Sequence, residues 1–346
     1  MKVGILTGGG DCPGLNAVIR AVVRRSVSLH YEVTGIRGGW QGLLERDHFK
    51  LTQRAVSGIL HAGGTVLGTT RVNPYQVDGG PERVEHTAQD LGLDAVIAIG
   101  GEGTLSITRR FHERGKLKVV GVPKTIDNDI AATDYTFGFD TAVQIATDAI
   151  DRLHTTAEAH SRIMVVEVMG RHVGHIALHA GMAGGADAIL VPERATDLDE
   201  LARSLKRRHR RGKNFSIVVV AEGARIIGED GEPRLITAIA APDDFGRPRL
   251  GGVGAWLASE IEERLGIETR VTTLGHVQRG GSPTAWDRVL ATRFGLHAAE
   301  MVQRGEFGMM VALKGTAMVP VPLAEATAKL KGIDQALYDD AAVFFG

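Results

Sequence analysis

Cysteine is nearly missing. Cys12 is the only one in 346 residues, which excludes an intrachain disulfide and points to a reducing, cytoplasmic setting. An excess of charge is also missing. The formal net charge is −1, so no bulk field draws nucleic acid or anionic lipid, and any anion site must be built locally. No apolar run approaches the ~20 residues that a membrane span requires. The start, Met1-Lys2-Val3-Gly4-Ile5-Leu6-Thr7, runs directly into glycines. It reads as a short strand and a loop, not as the apolar stretch and cleavage site of a signal peptide. Proline is sparse, at 11 residues, and no repeat period is visible, which excludes a low-complexity chain.

Glycine is what the chain has in excess: 45 of its residues, against roughly 7% in average proteins. The glycines cluster just after apolar runs, which suits loops that bring backbone close to a ligand. Apolar residues at 43% and charged residues at 23% are ordinary for a globular protein. The length predicts two domains.

Short β-branched runs alternate with helical patterns. Expected strands are Val3–Thr7, Glu32–Ile36, Ala95–Ile99, Lys118–Val122, Ile163–Val168, Ala188–Val191, Ser216–Ala221, Val271–Leu274 and Met309–Leu313. They read as continuously apolar, as parallel strands covered on both faces do. Expected helices are Leu15–Ser28, Thr104–Arg114, Thr141–Thr156, Gly174–Met182, Leu198–Arg211, Gly254–Leu265 and Thr284–Gln303. This alternation predicts a parallel α/β architecture, in two sets divided near residue 140, with ligands at the carboxyl ends of strands.

Three loops carry the chemistry. Gly8-Gly9-Gly10-Asp11-Cys12-Pro13-Gly14 follows the first strand and opens a helix, where bare amides make an anion site. It is neither a phosphate-binding loop ending in Gly-Lys-Ser/Thr nor a dinucleotide fingerprint. Cys12 reads as a packing residue. Gly100-Gly101-Glu102-Gly103-Thr104 again joins a strand to a helix. Its carboxylate beside a phosphate loop fits a bridging Mg²⁺, or equally a glutamate favoured by the helix dipole. In Pro123-Lys124-Thr125-Ile126-Asp127-Asn128-Asp129, Thr125, Asp127 and Asp129 stand at spacing two. If the segment is extended, a hydroxyl and two carboxylates face one way. Phosphoryl transfer to an alcohol uses a carboxylate to take the proton and another group to hold the metal. Asp-Asn-Asp also makes turns and calcium loops, but the remaining calcium ligands are missing. Arg171, Glu222, His276 and Arg279 follow later strands, and Arg162 and Arg270 begin or precede strands.

Together the stretches Gly-Gly-Asp-Cys-Pro-Gly-Leu-Asn (9–16), Gly-Gly-Glu-Gly-Thr (100–104), Pro-Lys-Thr-Ile-Asp-Asn-Asp (123–129), Val-Glu-Val-Met-Gly-Arg (166–171), Ala-Glu-Gly (221–223) and Leu-Gly-His-Val-Gln-Arg-Gly-Gly-Ser-Pro (274–283) resemble the 6-phosphofructokinases over the whole chain. The resemblance implies two Rossmann-like three-layer domains with the active site in the cleft between them. The donor domain would comprise residues 1–138 and 251–304, and the fructose 6-phosphate domain 139–250 and 305–346. Asp127 would be the general base on the 1-hydroxyl. Thr125 and Asp129 would position the transferring group and its Mg²⁺, with Arg171 and the Gly9 N–H stabilising transition-state charge. Arg71, Gly101, Glu102, Gly103 and Thr104 would hold the donor, Glu102 lying near the metal. Met169, Gly170, Glu222, His276 and Arg279 would bind the sugar phosphate. Arg162 and Arg270 would complete the site of a neighbouring subunit in a homo-oligomer, usually a tetramer.

The donor turns on Gly103 and Lys124. In the family, pyrophosphate-dependent members commonly carry Asp at the first position and Lys at the second. An aspartate at 103 would crowd and repel a nucleotide's α-phosphate, so Gly103 indicates ATP, while Lys124 suits pyrophosphate. Weighing the steric block above one cation assigns ATP, with pyrophosphate as the alternative. The combination resembles a mixed subgroup spanning both donors. An inactive effector-binding subunit should lack Asp127, Arg171 or Arg279, and a NAD or lipid kinase would lack the His276–Arg279 clamp. Asp244-Phe245-Gly246 reads as a loop and not as a protein-kinase motif. The basic run Lys206–Lys213 reads as a solvated helix end. Its Arg211 and Lys213 fall where some family members bind anionic effectors, yet His154 and Gln53 replace arginines usual in regulated bacterial members. Strong effector control is therefore not expected, and neither is nucleic-acid binding.

Overall fold

A computed structural model describes residues 1–228, 230–236 and 251–345. Asp244-Phe245-Gly246 lies outside them. The chain divides into two compact units: Met1–Thr141 with Arg279–Lys331, and Ala142–Gln278 with Gly332–Gly346.

The first unit is built on a seven-stranded sheet, in the order Ala317–Pro322, Met309–Lys314, Val119–Pro123, Ala95–Gly100, Lys2–Gly8, Glu32–Ile36, His48–Leu51. The five inner strands are parallel, and their continuous apolar runs are almost wholly buried. Both outer strands run antiparallel to their neighbours, so the sheet is parallel only at its centre. One face is closed by a core that includes Leu6, Val96 and Ala98 of the strands with Trp40, Phe111 and Leu105. Elsewhere in the unit the helices Leu15–Ser28 and Ala285–Arg304 pack together. They approach so closely that a side chain at Gly295 would meet the Val18 carbonyl at 2.6 Å.

The second unit holds a parallel four-stranded sheet, ordered Thr269–Thr273, Ile163–Val168, Ser216–Ala221, Ala188–Leu190. Helices Leu198–Arg210 and Val253–Leu265 contribute Leu201, Leu205, Leu257 and Ile261 to its core. A two-stranded hairpin, Arg225–Ile227 with Pro233–Leu235, stands apart from this sheet.

These units differ from the expected boundaries at 250/251 and 304/305, and strand pairing gives the reason. Thr269–Thr273 pairs with Ile163–Val168, which keeps it and the preceding helix in the second unit. Met309–Lys314 pairs with Val119–Pro123, which keeps it in the first.

Candidate active site

In the first unit the chemistry-bearing loops begin side by side. The parallel register aligns Gly8 with Gly100, and Gly100 with Pro123. The three loops therefore leave the sheet from neighbouring carboxyl ends. The Lys124 N–H continues the ladder to the Gly100 carbonyl at 3.0 Å. Thr104, buried in the first turn of the helix Glu102–Glu113, turns its side chain back onto the strand ends. Any Cβ at Gly100 would collide with it.

Gly103 is a different kind of glycine. It is exposed, its backbone is helical, and a Cβ there would meet nothing within 4 Å. Neither packing nor conformation requires glycine at this position, although glycine in a helix costs up to about 1 kcal/mol relative to alanine. The helix N-terminus beside it has no side-chain cap, so its first amides remain available to an anion. Glu102 accepts the Ser106 hydroxyl at 2.7 Å.

The third loop is not extended as its spacing suggests. It bends at Ile126 and Asp127, and Asn128 adopts a left-handed backbone with φ 52°. Thr125, Asp127 and Asp129 are nevertheless gathered, by hydrogen bonds instead of a pleat. Thr125 Oγ1 accepts the Asp127 N–H at 3.0 Å, and its hydroxyl serves the Asp129 carboxylate. Burial and the Asp127 charge push Asp129 up to about 6. Asn128 Oδ1 accepts the Thr136 N–H at 3.1 Å, and the Thr136 hydroxyl donates to the Thr125 carbonyl at 2.8 Å.

Two cations stand at the first glycine loop. Lys124 is only 4% exposed and donates to the Gly10 carbonyl at 2.5 Å. It is thus a fixed charge and not a flexible one, and burial holds its ammonium below the usual lysine range. Arg279 donates to the Asp11 carbonyl at 3.2 Å, and a Cβ at Gly10 would come within 2.7 Å of its guanidinium. Arg279 therefore lies against the first glycine loop, within the first unit, whereas His276 is exposed on a short 3-10 turn of the second. Gly9 does not present a free N–H: it donates to the Thr70 carbonyl at 2.9 Å, and its own carbonyl takes the Thr69 hydroxyl at 2.6 Å. The expected transition-state role of Gly9 requires that first bond to be exchanged. Arg71, next in the chain, is exposed. Cys12 is fully buried, and burial pushes its thiol up to about 12. It is a packing residue.

In the second unit, Met169, Gly170, Arg171 and Glu222 follow two paired strands. Glu222 N–H donates to the Val168 carbonyl at 2.9 Å and Gly223 N–H to the Gly170 carbonyl at 3.1 Å. Gly170 has φ 142°, a conformation open to glycine. Arg162 and Arg270 share one carboxylate: Arg162 Nε lies 2.6 Å from Glu268, and Arg270 pairs with the other oxygen. Arg208, inside the basic run, pairs with Asp187 at 3.0 Å.

Some residues carried no sequence signal. Asp287 is fully buried and accepts both the N–H and the hydroxyl of Thr141, at 2.8 and 2.6 Å, while burial pushes it up to about 6. Glu167 accepts the Gly254 N–H at 2.7 Å, at the start of the helix Val253–Leu265. An acidic side chain at a helix N-terminus is a recognisable signal only once the two segments are known to meet.

A family model described as phosphofructokinase matches residues 2–302. The chain belongs to the phosphofructokinase family. Among its relatives, a pyrophosphate–fructose 6-phosphate 1-phosphotransferase of Amycolatopsis mediterranei is 58% identical over 100% of both chains. An ATP-dependent 6-phosphofructokinase of Streptomyces coelicolor is 56% identical over 99% of both. A solved phosphofructokinase of Saccharomyces cerevisiae superposes with a TM-score of 0.81 at 33% identity, over 99% of this chain and 48% of that one. The chain thus spans about half the length of the yeast chain. Relatives named for each donor stand two percentage points apart, so overall identity does not choose between donors. Among the described residues, no helix is long and apolar enough to cross a membrane.

Proposed function

We propose that this phosphofructokinase transfers the terminal phosphoryl group of MgATP to the 1-hydroxyl of fructose 6-phosphate, giving fructose 1,6-bisphosphate. The observation that carries the donor is Gly103. It sits in the uncapped first turn after a phosphate-suited loop, faces open space, and has no packing or conformational need to be glycine. Space kept free at that point suits a donor that continues beyond its β-phosphate. Arg71, Gly101, Glu102 and Thr104 complete the donor set.

Mg²⁺ fits the residues present. Among the described residues no three His, Cys, Asp or Glu side chains group as an all-protein metal site. Mg²⁺ takes one or two carboxylates and fills its shell with water and phosphate oxygens, and Glu102 would supply one of those carboxylates. Bound there, it would neutralise charge on the donor phosphates. Asp127 takes the hydroxyl proton, with Thr125 holding its backbone and the carboxylate of Asp129. Lys124, Arg279 and Arg171 offset charge on the transferring group. Met169, Gly170, Glu222, His276 and Arg279 receive the sugar phosphate. Arg162 and Arg270 serve the neighbouring subunit of a cytoplasmic homotetramer once they exchange Glu268 for a phosphate.

A second reading, pyrophosphate as donor, is favoured by Lys124. A buried, fixed ammonium suits a compact dianion, and the Amycolatopsis relative carries that activity in its name. Turnover of the purified protein with MgATP and with Mg-pyrophosphate decides between them. The proposal expects turnover with MgATP and little with pyrophosphate; equal or faster turnover with pyrophosphate overturns it.

A further inference from the structure

The bend that carries Asp127 is held by a residue remote in sequence. Lys331 is separated from Asn128 by 203 positions, yet its ammonium donates to Asn128 Oδ1 at 3.0 Å, to the Thr133 carbonyl at 2.9 Å and to the Asp134 carbonyl at 2.8 Å. An ammonium has three protons to donate and no acceptor, and each of these three bonds takes one. The Lys331 N–H adds a fourth bond, to the Asp129 carbonyl at 2.9 Å. The preceding Leu330 forms an antiparallel bridge with Ile130. Four bonds, one of them belonging to that bridge, thus converge on residues 128–134.

Their target is the strained point of the loop. Asn128 stands between the two aspartates in the left-handed region, which residues other than glycine adopt uncommonly, asparagine among the more tolerant. Its side-chain oxygen receives both the Lys331 ammonium and the Thr136 N–H. Release of that oxygen would free the turn to relax and would carry Asp127 with it.

We propose that Lys331 is a positioning residue for the reaction: by tying Asn128 and Asp129 from the far end of the chain, it holds the bend that aims the Asp127 carboxylate. The proposal rests on Asp127 as the base. Near-normal turnover by Asp127→Ser would remove that reading, whereas the exchange measurement below judges the tie by itself.

The test uses the full chain with Lys331→Met and Lys331→Arg, measuring kcat, both KM values and amide hydrogen exchange. Lys331→Met should lower kcat at least ~10-fold and leave both KM values within about threefold, because a misaimed base costs turnover more than binding. Amide protection should fall over residues 125–136 while the strands Lys2–Gly8 and Ala95–Gly100 keep theirs. Lys331→Arg, which keeps the donors, should recover at least about threefold of the lost kcat. A Lys331→Met kcat within twofold of wild type overturns the proposal. So does protection lost evenly across the first unit, since that is what a merely structural residue would give. If Lys331→Met does not fold, Asn128→Gly serves instead: it keeps the left-handed backbone and removes the acceptor. A kcat reduced at least ~3-fold supports the tie, and a wild-type kcat overturns it.

Discussion

Lys124 and Arg279 in the first unit face backbone carbonyls beside a glycine loop, whereas Arg162 and Arg270 in the second share the carboxylate of Glu268. Lys124 is the most enclosed of the four. Lys124 is 4% exposed, while the Arg270 side chain is 53% exposed. A buried ammonium carries a desolvation cost that an incoming phosphate would offset. A surface guanidinium already paired with a carboxylate has little left to gain. The difference is between a buried cation and cations already paired at the surface.

The largest effect is expected at Asp127, the proposed base beside the first cluster. Asp127→Ser should lower kcat by at least ~10² with a modest change in KM, measured by steady-state kinetics. Next comes Lys124→Met, which removes a charge-assisted donor. It should lower kcat/KM for the donor by roughly 10- to 100-fold, the range of one such hydrogen bond. An unchanged value would break the contrast between the two clusters. Glu268→Gln should do little by comparison. Thermal melts should stay close to wild type, and the KM for fructose 6-phosphate should fall modestly as Arg162 and Arg270 lose their competitor. A large loss of stability would mean that this surface pair is structural after all.

The smallest effect is a slope. The Asp287 carboxyl is raised from 3.8 to about 6, so the folded state holds its proton more tightly than the unfolded chain does. That contribution to stability is present below about pH 4 and is lost as pH rises through about 6. The stability difference between wild type and Asp287→Asn should therefore decline over that window and be flat above it, as followed by denaturant titration at each pH. A difference independent of pH would remove the raised carboxyl from the account.

Much of the fold was legible because burial leaves a continuous apolar trace. Strands such as Ala95–Gly100 and Ser216–Ala221 are buried at every position, and their sequences say so. The strands His48–Leu51 and Ala317–Pro322 leave no such trace, for the opposite reason. They are antiparallel and half exposed, and the latter carries prolines at its edge. The helices Trp40–Glu45 and Gly80–Asp90 are short or polar and hold a glycine or a proline. At the site, residue identities were legible and geometry was not. Spacing suggested that Thr125, Asp127 and Asp129 share one side of an extended segment. The chain instead bends, and it is held by Asn128, Thr136 and a lysine near residue 330. Contacts so distant in sequence leave no local pattern. Likewise, nothing in the loop Gly8–Gly14 announces that Thr70 already occupies the Gly9 N–H.

The central claim is that the open space at Gly103 admits a nucleotide. Gly103→Asp tests it most directly, because a Cβ there meets nothing within 4 Å and so the substitution should not disturb the fold. The measurement is kcat/KM for MgATP in the variant and the wild type, with melting temperature as the control. The account predicts a fall of at least ~10² with the melting temperature held, as expected when a carboxylate is set against a phosphate. Unchanged ATP kinetics in a folded Gly103→Asp enzyme would contradict it.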